Sequence, residues 1–150
     1  MKLSKALKEK NRLVGEINRI KIILARENSR DENSFSKIDR ALVWEKLDQT
    51  VEKLIKIKAA IFAANVTIQE DICRLSEIKS RIEFLKTLNV AHGNVEYPSY
   101  NSEPIIKKLD AYYKQDDIDN LTDKLQLEIE KIQDRLDEYN AITEVSYDNK

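Results

Sequence analysis

Between Ser36 and Asn89 the chain contains neither glycine nor proline. Through that stretch its apolar residues recur at intervals of three and four. This is the period of a helix face, and it leaves no corner at which a strand could turn back. Ile38, Trp44, Leu47, Val51, Leu54, Ile61 and Ile68 form the seam, and extending its register places the polar Lys58 and Asn65 on it. Ile55, Ile57 and Phe62 widen the apolar face beyond a two-stranded seam. A further series, Ile72, Leu75, Ile78, Ile82, Leu85 and Leu88, continues almost in phase. Two readings stay open for residues 36–89. One is a single rod of about 80 Å at 1.5 Å per residue. The other is a break near residues 65–67, where Thr67-Ile68-Gln69-Glu70 fits a capping box.

The flanking segments extend the pattern. Leu3, Ala6, Leu7, Leu13, Val14, Ile17, Ile20 and Leu24 make one stripe of a first helix over about residues 2–26. The polar run Glu27 to Ser34 then reads as the loop of a helical hairpin, with Ser34 or Ser36 able to cap the second helix. A last helix over about residues 117–143 starts at Asp116 or Asp117 and carries Ile118, Leu121, Leu125, Ile129, Ile132, Leu136 and Tyr139. Residues 146–150 read as a frayed tail. Between the helices, residues 89–117 hold Gly93, both prolines and four of the six tyrosines. Ile105 to Leu109 and Ala111 to Tyr113 are candidate strands there. The fold class expected is all-α: one domain, an elongated antiparallel helical bundle or coiled coil with a small irregular or β-ribbon insertion. With two glycines and two prolines in 150 residues, turn-rich β architectures are excluded.

Charge adds a pairing expectation. Residues 1–26 carry eight Lys/Arg against two acids, whereas residues 115–150 carry four Lys/Arg against eleven acids. Opposite signs steer the choice of partner, so the first and last helices are expected side by side, within one chain or between chains. The whole chain balances 26 basic against 27 acidic residues, which does not indicate a globally basic nucleic-acid binder.

Few residues offer chemistry. One cysteine (Cys73) and one histidine (His92) exclude an internal disulfide and the usual zinc ligand sets. Cys73, beside Ile72, reads as a buried or half-buried structural thiol, and His92 in Ala91-His92-Gly93 as an exposed loop side chain. No Gly-rich phosphate loop or nucleophile elbow is present, and no metal or cofactor is expected. Adjacent acids such as Glu70-Asp71 diverge on a helix and read as caps and solvated faces rather than ligands. Tyr97, Tyr100, Tyr112 and Tyr113 form either a small local core under the loop, the stronger reading, or a partner-binding patch. Asn65, with Lys58, is expected to set register or oligomer state, the usual role of a polar side chain on an apolar seam.

Several short stretches resemble the septicolysin-like family of small bacterial helical proteins. Lys2-Leu3-Ser4-Lys5-Ala6-Leu7 is similar to its opening. Leu54-Ile55 with Ile61 and Asn65 is similar to its mid-chain L-I and I-N-x-T-N run, with Phe62 and Ala64 replacing the first Asn and the Thr. Thr67 to Leu88 resembles the next family helix, Asp117-Ile118 to Leu121 its D-V-x-x-L helix start, and Asn140-Ala141-Ile142-Thr143-Glu144 its N-W-T-T-E terminus. The resemblance implies a shared polar site at Asn65, Asn140, Thr143 and Glu144. The family name implies a membrane-active cytolysin, although members are similar to cytoplasmic coiled-coil proteins of unknown function.

These residues lead to one main expectation: a non-enzymatic, cytoplasmic coiled-coil oligomerisation, scaffold or protein-binding module. Its partner is a second copy or another protein, with no nucleic acid and no membrane span. The first ten residues are basic enough to open a signal peptide, but Asn11, Arg12, Glu16, Asn18 and Arg19 interrupt any apolar core. The alternatives are membrane activity, and a small-ligand or hydrolytic site at residues 89–117 built on His92 with tyrosines or carboxylates.

Overall fold

A computed structural model describes residues 1–101 and 103–147. It is mostly helical, with one small two-stranded antiparallel sheet. In chain order the elements are α1 (Leu3–Glu27), α2 (Arg40–Asn65), a 3-10 turn (Val66–Ile68), α3 (Gln69–Lys86), β1 (Gly93–Tyr97), β2 (Ile105–Leu109) and α4 (Gln115–Ile142). The chain forms two compact units: Met1–Gln69 with Asp137–Lys150, and Glu70–Leu136.

In the first unit α1 and α2 make an antiparallel hairpin. Leu3, Ala6 and Leu13 of α1 meet Ile57 and Ile61 of α2 at one end. Ile17, Ile20 and Leu24 meet Leu47 at the other, with Val43, Val51 and Leu54 packed alongside. An ion pair between Glu16 and Lys46 (3.2 Å) bridges the two helices. The open end of the first cluster is closed by Val145, Tyr139 and Tyr147. Val145 is buried and the Tyr147 hydroxyl donates to the Lys53 carbonyl (3.5 Å), so Tyr147 is anchored rather than frayed. Residues 148–150 of that expected tail lie outside the described residues. The side-by-side pairing expected of the first and last helices is, within the chain, taken by α1 and α2; only the end of α4, from Asp137 on, belongs to this unit.

The buried line on α2 differs from the expected seam. Trp44 is 47% exposed and Lys58 is exposed, while Leu47, Thr50, Ile57 and Ile61 are the residues turned inward. Ile57 and Ile61 are the residues that Leu3, Ala6 and Leu13 of α1 cover, so the buried line passes through Ile57 and its neighbour Lys58 points aside.

The hairpin loop is held by arginines. Arg40 donates to the carbonyls of Glu27 (3.3 Å) and Asn28 (3.1 Å), supplying partners to helix-end groups that α1 itself cannot satisfy. Arg30 donates to the Ile38 carbonyl (3.2 Å) and to the Glu27 carboxylate (3.4 Å), and Arg26 donates to the same carboxylate (3.1 Å). The buried Glu27 carboxyl is held below its ordinary value, first by the Ser36 hydroxyl and then by these guanidinia, against the opposing effect of burial. Asp39, not Ser34 or Ser36, caps α2, its Oδ1 accepting from the Leu42 N–H (3.2 Å).

In the second unit α3 turns Ile78, Ile82 and Leu85 inward, and α4 turns in Ile118, Ile132 and Leu136. They run antiparallel. Arg135 near the end of α4 grips Asp71 near the start of α3 with two hydrogen bonds (2.7 and 3.2 Å). α4 begins at Gln115, one residue before the nearer expected cap, because the Asp117 carboxylate reaches back to accept from the Lys114 N–H (3.0 Å). The capping box expected at Thr67 does not form: Thr67 bonds Tyr139, and Glu70 pairs with Arg74 (2.7 Å). Between the two helices β1 and β2 pair in a register that sets Gly93 opposite Leu109 and Tyr97 opposite Ile105. Gly93 opens the ribbon at φ 82°, a conformation other residues reach only at a cost. Pro98 and Pro104 sit just outside the strands, where a missing N–H breaks no ladder bond. The candidate strand at Ala111 to Tyr113 is irregular, and its place beside Ile105–Leu109 is taken by Gly93–Tyr97.

The hairpin can be tested at two residues. Ile57 is fully buried, so Ile57→Ala should cost about 2–5 kcal/mol in chemical denaturation. A loss below about 1 kcal/mol would show that this interface is not the core. A carboxyl whose folded value is depressed contributes stability above its unfolded value, near 4.5, and loses it as pH falls through the lower folded value. Glu27→Gln should therefore separate from the parent most above about pH 4.5 and converge with it in acid. Parallel stability curves at all pH values would contradict the role given to Glu27.

Candidate interaction surfaces

Asn65 ends α2 at the point where the helix tightens into the 3-10 turn. Its side chain is half-buried, and its Oδ1 is buried without a hydrogen-bond partner among the described residues. An acceptor taken out of water and left unmatched costs about 1–3 kcal/mol. Next to it the backbone is well served. The Tyr139 hydroxyl donates to the Ala64 carbonyl (2.7 Å) and accepts from the Thr67 hydroxyl (2.8 Å). Tyr139, read in the sequence only as the last apolar position of a stripe, is thus the residue that ties the end of α4 to the end of α2. Its spacing gave away the face but not the hydroxyl's partners.

The other residues that the family resemblance implied fall nearby but do not converge on Asn65. Thr143 works through its backbone, its carbonyl accepting from the Leu3 N–H (2.8 Å). Glu144 is exposed and pairs with Lys2 (3.0 Å) and the Met1 ammonium (3.3 Å), and both hold its carboxyl below the ordinary value. Asn140 is half-buried. Among the described residues no hydrogen bond joins Asn65 to Asn140, Thr143 or Glu144. The arrangement is a backbone clasp between the two ends of this unit.

In the insertion the tyrosines lie outward. Tyr100 and Tyr112 are fully open, and Tyr97 and Tyr113 are 38% and 41% exposed, so the expected local core is absent among them. The rings of Tyr112 and Tyr113 meet edge to face at 4.7 Å, and Lys107 lies over the Tyr97 ring at 5.1 Å. His92 Nδ1 accepts from the Ala111 N–H (3.1 Å), a hydrogen bond that ties the base of the ribbon. A cleft of about 390 Å³ lies at the start of α4, and its walls, which include Leu85, Leu88, Ile118 and Asp119, contain neither His92 nor any of these tyrosines. Cys73 is exposed rather than buried, since the inward line of α3 passes through Ile78, Ile82 and Leu85. Among the described residues, no group of three or more His, Cys, Asp or Glu side chains is placed to hold a metal ion. No described helix is long and apolar enough to cross a membrane.

A second exposed apolar surface is the outer face of α2 and the turn after it. Ile55, Phe62 and Val66 are 53%, 71% and 65% exposed, and with the exposed Ala59 they succeed one another at intervals of four, three and four. At 100° per residue this line runs about a third of a turn from the one that faces α1. Ile55 and Phe62 thus form a separate face rather than broadening the buried one. No family model, curated protein or solved structure matches this chain.

The orphaned oxygen gives a test. Asn65→Leu, which removes it at nearly constant volume, should stabilise the protein by about 1 kcal/mol and raise the melting temperature. A lower melting temperature would mean that the Asn65 oxygen is matched in solution.

Proposed function

We propose that the protein is an assembly module that self-associates through the outer face of α2, in the manner of a coiled coil. The observation that carries this reading is the exposed line Ile55, Ala59, Phe62, Val66. Monomeric proteins scatter exposed apolar residues singly, whereas a contiguous line at helical spacing marks a surface that another helix covers. The occupant is a second copy of the chain. Its two ends carry opposite charge, with eight Lys/Arg against two acids in residues 1–26 and the reverse imbalance in residues 115–150. A chain of this kind attracts its own copies. The exposed tyrosines of the ribbon offer a second, amphipathic surface of the composition favoured at interfaces. The function is scaffolding, and the site needs no cofactor.

Size exclusion with light scattering tests the reading. The parent chain should run as an oligomer, and Phe62→Glu should shift it toward the 17.5 kDa monomer with helicity unchanged, because Phe62 lies outside the core. A parent that is monomeric, or a Phe62→Glu variant that keeps the parent's mass, would falsify the proposal.

A further inference from the structure

The exposed side of α1 carries a line of basic residues flanked by Glu9 and Glu16. Lys5, Arg12, Arg19 and Arg26 recur every seven residues, with Lys8 on the same line, and all five are exposed. This line lies well away from the buried Leu13, Ile17, Ile20 and Leu24. Arg12 is already held between Glu9 (2.7 Å) and Glu16 (2.9 Å), and Arg26 beside Glu27 (3.1 Å). The charge left for another molecule therefore sits mainly on Lys5, Lys8 and Arg19.

α4 carries the counterpart. Asp116, Asp123 and Glu130 also recur every seven residues, Asp119 and Asp134 fall on the same side, and all five are exposed. Lys124 and Lys131 lie at the edge of this stripe. Each stripe repeats about every 10.5 Å of helix. A seven-residue repeat drifts around a straight helix by about 20° each time, and two helices that share the repeat drift together. Opposite charges then stay face to face along the whole overlap, as they do at the flanking positions of paired helices. The buried face of α1 is taken by α2, which leaves the basic line outward.

We infer that the basic stripe of α1 in one copy docks on the acidic stripe of α4 in a second copy, and that this contact sets partner choice in the assembly. The inference rests on the self-association proposed above and assigns it a second, electrostatic surface. A matched period on two stripes of opposite sign selects a second copy, because the complement is present in the same chain. Exposed charge pairs steer encounter and register more than they hold a complex together, so the contact is salt-sensitive.

The test is a charge swap read by sedimentation velocity at low ionic strength. One variant carries Lys8→Glu and Arg19→Glu; the other carries Asp123→Lys and Glu130→Lys. All four positions are exposed, and none contributes to the core. Each variant alone should self-associate about tenfold or more weakly than the parent, and an equimolar mixture should recover the parent's association because each reversed stripe then meets its complement. Variants that associate like the parent, or a mixture that does not recover, overturn the inference. If Phe62→Glu abolishes assembly while both charge variants leave it intact, the docking of stripes fails and the α2 surface stands. If the parent is monomeric, both fail. Retardation of duplex DNA that the Lys8→Glu, Arg19→Glu variant loses, with its self-association unchanged, would assign the stripe to a polyanion instead.

Discussion

Removal of apolar surface from water between α1 and α2 is the interaction on which the first unit depends. Leu3, Leu13 and Ile57 have essentially no exposure, and around them a line of isoleucines and leucines runs the length of the hairpin. Full burial of one such side chain contributes about 1.5–3 kcal/mol, against about 0–1 kcal/mol for a surface ion pair like Glu16 with Lys46. The arginine clasp at the loop and the Tyr139 hydroxyl at the far end are positioned by that interface. They decide where the hairpin begins and stops rather than whether it forms.

A two-helix hairpin has a structural consequence. Each helix can give only one stripe to its neighbour, and any second stripe stays in water until something else covers it. α1 resolves this with charge, turning lysines and arginines outward. α2 does not, since Ile55, Phe62 and Val66 stand open on the side away from α1. The two outer faces thus differ, charged on α1 and apolar on α2, on helices of nearly equal length.

Much of this was legible in the residues, for reasons that differ by element. The α1 stripe could be read because 3.6-residue spacing, from Leu3 to Leu24, translates directly into burial. The same reasoning misplaced Lys58 and Trp44, because spacing alone does not say which edge of a broad apolar face the partner helix covers, and α1 covers Ile57. Ile105–Leu109 announced itself as a strand by its paired isoleucines, whereas Gly93–Tyr97 has a polar, weakly alternating sequence that takes strand form from its partner. The tyrosines of the insertion carried no directional signal. Aromatic content is compatible with a local core or with an interface, and only the backbone path decides which way the rings point. Asn65 was conspicuous as a polar residue on an apolar seam, but neither its unmatched oxygen nor the 3-10 turn that follows it is foretold by composition.

The claim that α2 has one face for its own chain and another for a second molecule is tested most directly by sedimentation equilibrium of the unaltered protein over a wide concentration range. The weight-average mass should climb from 17.5 kDa at high dilution to a multiple of it as concentration rises. A mass fixed at 17.5 kDa throughout, in low and high salt alike, would contradict the claim.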